Sequence, residues 1–182
     1  VCGSFESNTA DKSYLLFTRS AGMLFASARS AREERSRQRY ALQDFSHITV
    51  SLVQGKTGWR IGSVDTITNF FSVADNREVR GSVVRLVKYL RRYIQGEESH
   101  PQLFDDVLIG LQTITTVVPD NQSAYEQFLM VRILHLLGYV ALPAEYISVF
   151  SKSLTGLQRN EYEPAAISCG PLIATAQTAS HL

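Results

Sequence analysis

The sequence predicts an α+β protein in which an N-terminal five-stranded β-barrel precedes a C-terminal α-helical bundle. Up to about residue 65, short apolar runs alternate with turn residues, as in β-strands. From about residue 76 the apolar residues recur at three- and four-residue spacing, as in amphipathic helices. The predicted domains are residues 1–70 and residues 71–182.

Four strands are predicted in the first domain, at residues 13–18, 23–29, 47–54 and 59–67. Gly22 permits a tight turn between the first two, and the glycines of GKTG (55–58) permit one between the last two. In the third strand, Ile48, Val50 and Leu52 alternate with their neighbours and should face the core. The chain begins without a methionine, and we expect an incomplete strand there to be the fifth.

Helices are predicted at residues 77–94, 103–118, 123–140, 142–154 and 163–177. The apolar stripe of the first helix consists of Val79, Val83, Leu86, Val87, Leu90 and Ile94. Gly138 is expected to end the third helix, because glycine readily adopts the left-handed conformation found after helix C-termini.

Composition and charge are typical of a globular protein with a cationic N-terminal half. The chain is 45% hydrophobic and 19% charged, and no apolar run reaches the length of a membrane span. Residues 1–92 hold 15 of the 18 Lys+Arg and 8 of the 17 Asp+Glu, a net charge of +7, which leaves −6 for residues 93–182. Such a half can meet a polyanion. A dipolar surface without function is the alternative.

The segment SARSAREERSRQRY, residues 27–40, concentrates arginine between two predicted strands. Its five arginines are Arg29, Arg32, Arg35, Arg37 and Arg39. Arginine grips phosphate oxygens in a bidentate way and stacks on bases, so this segment is a candidate DNA contact. Lys56 and Arg60, near the GKTG turn, extend the candidate set. A solvated loop is the alternative.

Aromatic side chains near these cations provide candidate stacking platforms. They are Phe25, Tyr40, Phe45 and Trp59, although core packing is an alternative for Trp59 and the preferred one for Phe45. Small five-stranded barrels commonly bind single strands in a groove with basic loops and aromatic platforms.

The sequence contains no pattern typical of an enzyme, a metal site or a cofactor site. None of the four histidines lies in an HxxxH or HExxH spacing, and GxSxG, GxGxxG and phosphate-loop motifs are absent. Cys2 and Cys169 are far apart, which argues against a cysteine-rich zinc site and a disulfide-stapled fold. We therefore expect a non-enzymatic protein of the reducing cytoplasm, without membrane attachment.

Three stretches resemble the bacterial recombination mediator family RecO. The arginine segment with its flanking strands is similar to the basic connection of the RecO N-terminal domain, an OB-fold barrel. HPQLFDDVLIGL and YEQFLMVRILHLLGY are similar to two helical motifs of the family, in the same order. The resemblance covers roughly residues 1–140. By position, it places the five arginines of the segment on the DNA surface.

The resemblance to RecO also implies partners and activities. Members of the family bind single- and double-stranded DNA, anneal complementary strands and help to load recombinase at gaps. They act with RecR and with the acidic tail of the single-stranded-DNA-binding protein, and a nucleoid-associated location follows. The four-cysteine zinc site of some members has no counterpart in this sequence, so we expect no metal.

A second cationic stripe lies on the helix predicted at residues 77–94. Arg85, Lys88 and Arg92 recur at helical spacing opposite its apolar side chains. The stripe is a candidate site for an acidic partner peptide, with an extension of the DNA path or a solvated face as alternatives.

Together these features predict a DNA-binding recombination mediator in DNA repair. One rival is a protein-interaction adaptor that acts through the helical domain without physiological DNA binding. Another is an RNA-binding module that uses the same face of the barrel.

Overall fold

The computed structural model describes residues 1–6, 12–28, 37–117 and 119–179, apart from the side chains of Arg37 and Pro119. The first elements are β1 (Gly3–Glu6), β2 (Lys12–Thr18), β3 (Gly22–Ala28), α1 (Arg37–Ala41), β4 (Ser46–Gly55), β5 (Gly58–Asn69) and α2 (Phe70–Val73). The helices that follow are α3 (Arg77–Tyr93), α4 (Pro101–Ile114), α5 (Pro119–Leu136), α6 (Ala144–Phe150), α7 (Arg159–Cys169) and α8 (Pro171–Ala179). The predicted α+β class is confirmed.

The five strands form one sheet in the order β1-β2-β3-β5-β4. Neighbouring strands are antiparallel except β3 and β5, which run parallel over a short stretch. Within the described residues, no strand ladder joins the two ends of the sheet, β1 and β4, so the predicted barrel is not closed. Two backbone hydrogen bonds link these ends: the Val1 nitrogen donates to the Ser46 carbonyl (2.6 Å), and the Phe45 N–H donates to the Val1 carbonyl (2.8 Å).

Alternating side chains divide the sheet into a core face and an outward face. The buried cluster of the core face consists of Tyr14, Leu16, Leu24, Ala26, Ala28, Leu42 and Ile61. As predicted, Ile48, Val50 and Leu52 pack against this cluster. Each large apolar side chain that leaves water in this way stabilises the fold by about 1.5–3 kcal/mol. Phe5 and Phe25 occupy alternate positions and therefore lie on the outward face.

The helices follow the predicted order, with different ends. α3 buries the predicted apolar stripe as far as Leu90, whereas Ile94, also buried, follows the end of the helix and belongs to the sheet unit. α4 ends at Ile114, earlier than predicted, because the β-branched residues that follow disfavour helix. α5 begins at Pro119, also earlier than predicted, since proline is well suited to the first helical position. Gly138 follows α5 with a φ of 78°, as predicted, and the predicted C-terminal helix is divided into α7 and α8. No helix in the described part of the chain is long and apolar enough to cross a membrane.

The chain folds into two compact units. The sheet unit comprises Val1–Ala74 with Ile94–His100, and the helical unit comprises Asp75–Tyr93 with Pro101–Leu182. In the sheet unit, the Gly96 carbonyl accepts a hydrogen bond from the Met23 N–H (3.0 Å). The return of segment 94–100 to the sheet unit was not part of the division predicted at residue 70.

The charge asymmetry between the two sequence halves does not carry over to the two units. The sheet unit holds 9 Lys+Arg and 8 Asp+Glu, and the helical unit holds 9 of each. The sheet unit is not strongly cationic, because α3, which carries six Lys or Arg residues, belongs to the helical unit. Attraction of a polyanion therefore depends on where single cations lie, not on the net charge of a unit.

Candidate nucleic-acid interface

The arginine segment is described only at its two ends, residues 27–28 on β3 and residues 37–40. Arg29, Arg32 and Arg35 lie outside the described residues. Arg37 begins α1, and its side chain is not described. Arg39, on the same short helix, is exposed. The predicted convergence of the five guanidinium groups on DNA stays a prediction.

The turn between β4 and β5 brings two of the predicted cations together. Gly55 and Gly58 pair across it, and Gly58 has a φ of 116°, a conformation that glycine adopts without strain. Lys56 is exposed on the turn. Arg60 is also exposed, and a Cβ atom built on Gly55 would lie 3.4 Å from Arg60 Nε. The Arg60 side chain therefore lies against the turn that carries Lys56.

Two exposed phenylalanines form an aromatic pair on the outward face of the sheet. The side chain of Phe25 is 58% exposed and that of Phe5 is 40% exposed, and their ring centroids are 5.7 Å apart. Leu15, on the strand between them, is buried on this face. Arg60 extends the same face, because it lies beside Ser27, two positions after Phe25 on β3. The aromatic pair and a cation thus share one side of the sheet.

The sequence predicted Phe25 as a platform but did not single out Phe5. A strand of four residues is too short for alternation to show which of its side chains point outward. The register of β1 against β2 supplies that information, since Phe5 lies opposite Ser13.

Of the other three predicted stacking platforms, one ring is exposed and two contact other residues of the sheet unit. Tyr40, on α1, is 67% exposed. Trp59 packs against the sheet core and donates its Nε1–H to Glu97 Oε2 (2.9 Å). Phe45 stacks on Phe71 with centroids 5.5 Å apart. Tyr40 therefore joins the phenylalanine pair as an available aromatic surface, whereas Trp59 serves mainly the fold.

A cavity with a volume of about 620 Å³ opens between β1–β2 and the chain from α1 to the start of β4. The residues that line it include Glu6, Lys12, Tyr14, Arg39, Tyr40 and Asp44. The Lys12 ammonium lies 5.5 Å from the centroid of the Tyr14 ring. Burial raises the pKa of Tyr14, and the nearby Asp44 carboxylate raises it further. The cavity thus combines cations, carboxylates and aromatic rings.

The second cationic stripe is partly engaged in contacts within the helical unit. Arg85 forms a bidentate ion pair with Glu126 on α5, with Nε–Oε1 at 2.6 Å and Nη2–Oε2 at 2.7 Å. This hydrogen bonding raises the pKa of Arg85. Arg92 donates to the Gln177 carbonyl (3.2 Å), whereas Lys88 is exposed. A role of the stripe in peptide binding stays a prediction, and it would depend most on Lys88.

Both cysteines, Cys2 and Cys169, are buried thiols. Burial raises the pKa of the Cys169 thiol, which lowers its thiolate fraction at neutral pH. Among the described residues, no group of three or more His, Cys, Asp or Glu side chains is placed to hold a metal ion.

Part of the chain is similar to a known DNA repair protein. It is 38% identical over 77 residues to "DNA repair protein RecO" of Symbiobacterium thermophilum. The matched stretch is 42% of this chain and 28% of that protein, so the chain spans well under half the length of this relative. No protein-family model matches the chain.

Proposed function

We propose that the protein binds single-stranded DNA on its sheet unit and acts in DNA repair and recombination. The observation that carries the proposal is the exposed Phe5–Phe25 pair on the same face of the sheet as Arg60. Base stacking on aromatic rings and phosphate contact with cations are the two components of sequence-tolerant binding to single strands. The similarity to a RecO protein supports the choice of DNA repair as the setting.

The sheet unit is proposed to be an OB-type barrel of the partly open kind. Five strands are present, and Val1, at one end of the sheet, hydrogen-bonds to Phe45 and Ser46 at the other. OB-folds bind oligonucleotides on the face of strands 2 and 3 and with the loops that follow strands 1 and 4. In this chain, that face carries Phe25, and the loop after β4 carries Lys56.

In this binding mode, successive bases stack on Phe25 and Phe5 while Arg60 and Lys56 contact the phosphates. Phosphate contacts carry no base information, so the face would accept any sequence. Counterions released by each phosphate contact make the affinity salt-dependent. Such a surface positions a strand without performing chemistry on it, which fits a non-enzymatic role.

The finer activities belong to the same proposal. They are annealing of complementary strands, binding of double-stranded DNA and assistance in loading recombinase at gaps. The proposed partners are a RecR-like protein and the acidic tail of the single-stranded-DNA-binding protein. The proposed location is the cytoplasm, in association with the nucleoid. Each was implied by the RecO resemblance of the arginine segment and of the two helical motifs.

The substitution Phe25→Ala tests the proposal. One stacked base contributes about 1–3 kcal/mol, so the affinity for labelled oligo-dT should fall by about 5- to 150-fold. Fluorescence anisotropy measures this affinity at fixed salt. Ile67→Ala is the matched control, since Ile67 is also 58% exposed on the sheet unit but lies outside the aromatic pair. Equal affinities for wild type and Phe25→Ala would contradict stacking on this face.

A further inference from the structure

The cavity beside β1 is large enough for part of a bound DNA strand. Its volume of about 620 Å³ falls within the range of roughly 300–1,000 Å³ typical of small-molecule sites. The lining residues named above all belong to the sheet unit. As far as the chain is described, the lining therefore comes from that unit, and it does not include Phe5 or Phe25 of the outward face.

The aromatic rings of the cavity suit a planar ligand. Tyr40 is largely exposed and offers the face or edge of its ring to a base that enters. Tyr14 is buried in the core cluster and also lines the cavity, so it forms part of its inner wall. Every base can stack on such rings, and stacking alone does not choose among bases.

The carboxylates of the cavity favour a ligand that donates hydrogen bonds. Asp44 and Glu6 both line the cavity. An ionised carboxylate only accepts hydrogen bonds, so it is complementary to a ligand that donates them. Aspartate and glutamate accept hydrogen bonds from the exocyclic amino group of cytosine, which thymine lacks.

The cations of the cavity suit the backbone attached to such a base. Lys12 and Arg39 line the same cavity, and Arg39 is exposed. A cation beside an aromatic and acidic pocket can contact the phosphate of the same nucleotide. A nucleotide with an amino-bearing base satisfies the ring, the acceptor and the cations together.

We propose that the cavity takes up one unpaired base of the bound strand and prefers a base with an exocyclic amino group, such as cytosine, over thymine. The proposal rests on single-stranded DNA binding by the sheet unit. The cavity would add a base preference to a DNA-binding surface that otherwise does not distinguish between bases.

Competition between oligo-dC and oligo-dT of equal length tests this base preference. Anisotropy at pH 7.5 measures how each competitor displaces labelled oligo-dT from the full chain. We expect oligo-dC to bind about tenfold more tightly, the discrimination typical of a well-made base contact. Asp44→Ala should remove the preference, so that oligo-dC and oligo-dT bind with equal affinity. Asp65→Ala, which removes an exposed carboxylate of β5 outside the cavity, should retain it.

Tyr40→Ala serves as a second variant, because an exposed side chain can be removed without loss of the fold. It should lower the affinity for both oligonucleotides, because every base can stack on the Tyr40 ring. Equal binding of the two oligonucleotides by wild type would overturn the base pocket and leave the proposed function standing. A preference that survives Asp44→Ala, or a Tyr40→Ala variant that binds both oligonucleotides as tightly as wild type, would also overturn it. Absence of binding to either oligonucleotide would instead overturn the proposed function, and the pocket with it.

Discussion

Burial of a single side chain, that of His47, makes the stability of the sheet unit depend on pH. It lies at the start of β4, and its Nδ1 atom is buried without a hydrogen-bond partner among the described residues. Burial lowers the pKa of His47 below its usual value of 6.5. The folded state therefore favours the neutral ring, whereas the unfolded chain takes up a proton at a higher pH.

The sheet unit should lose stability as the pH falls below about 6.5, the pKa of an unfolded histidine. The contribution of His47 is fully present above that pH and is lost toward its lower folded pKa. Urea unfolding at pH 7.5 and 5.5, followed by the fluorescence of the single tryptophan, Trp59, measures the change. His47→Gln should flatten the pH dependence, and the control His100→Gln should not. A dependence that persists in His47→Gln would assign it to another group.

For single residues, the sequence predicted which aromatic side chains are exposed better than it predicted which residues they contact. Phe25 and Tyr40 are exposed, as a stacking role requires. The contact of Trp59 with Glu97 was not foreseeable, because the two residues are 38 positions apart and no local pattern links them. Phe45 has a φ of 71°, which is unusual for a bulky residue and cannot be inferred from periodicity.

At the scale of elements, a buried ion pair holds three parts of the helical unit together. Arg132 on α5 is 3% exposed and binds both carboxylate oxygens of Asp106 on α4, at 2.9 and 3.0 Å. Its Nη1 atom donates to the carbonyls of Phe150 and Lys152, at and just after the end of α6. This role of Arg132 could not be predicted, because a lone arginine in an apolar helix gives no sign of its partner.

Arg132→Ala should destabilise the helical unit by about 3–5 kcal/mol, because it leaves the Asp106 carboxylate buried without its counter-ion. Urea unfolding followed by far-ultraviolet circular dichroism measures the loss. The matched control is Arg159→Ala, which breaks a pair with Glu163 on the surface of α7. Exposed pairs at this spacing contribute only about 0.3–0.5 kcal/mol. A similar effect of the two substitutions would show that the buried pair is not a main support.

The order and type of the elements could be predicted because periodicity is a local property of the chain. β2 to β5 begin and end within two residues of the predicted strands. The ends of α4 and α5 differed more, since helix boundaries depend on propensity and capping at single positions. The order of strands in the sheet and the short parallel pairing of β3 with β5 arise from long-range contacts that the sequence pattern does not specify.

At the scale of the whole molecule, the proposed function depends on where single cations lie rather than on the net charge of either unit. The sequence halves suggested a cationic and an anionic part, yet each folded unit is close to neutral. The reason is the return of segment 94–100 to the sheet unit and the assignment of α3 to the helical unit. Phosphate contacts must then come from particular cations of the sheet unit, among which Lys56 and Arg60 are exposed at one turn.

The salt dependence of DNA binding tests this claim most directly. Anisotropy of labelled oligo-dT over a salt series gives the slope of log affinity against log salt, about −0.7 for each phosphate contact with a single strand. The double variant Lys56→Ala/Arg60→Ala should bind more weakly, with a slope shallower by about 1.4. Lys88→Ala, which removes an exposed cation of the helical unit, is the control. A variant with alanine at Arg35, Arg37 and Arg39 tests the arginine segment in the same series.

Wild type should give a steep negative slope, Lys88→Ala the same slope, and Lys56→Ala/Arg60→Ala a shallower one. A double variant that keeps the wild-type affinity and slope, or a Lys88→Ala variant that loses them, would contradict single-stranded DNA binding on the sheet unit.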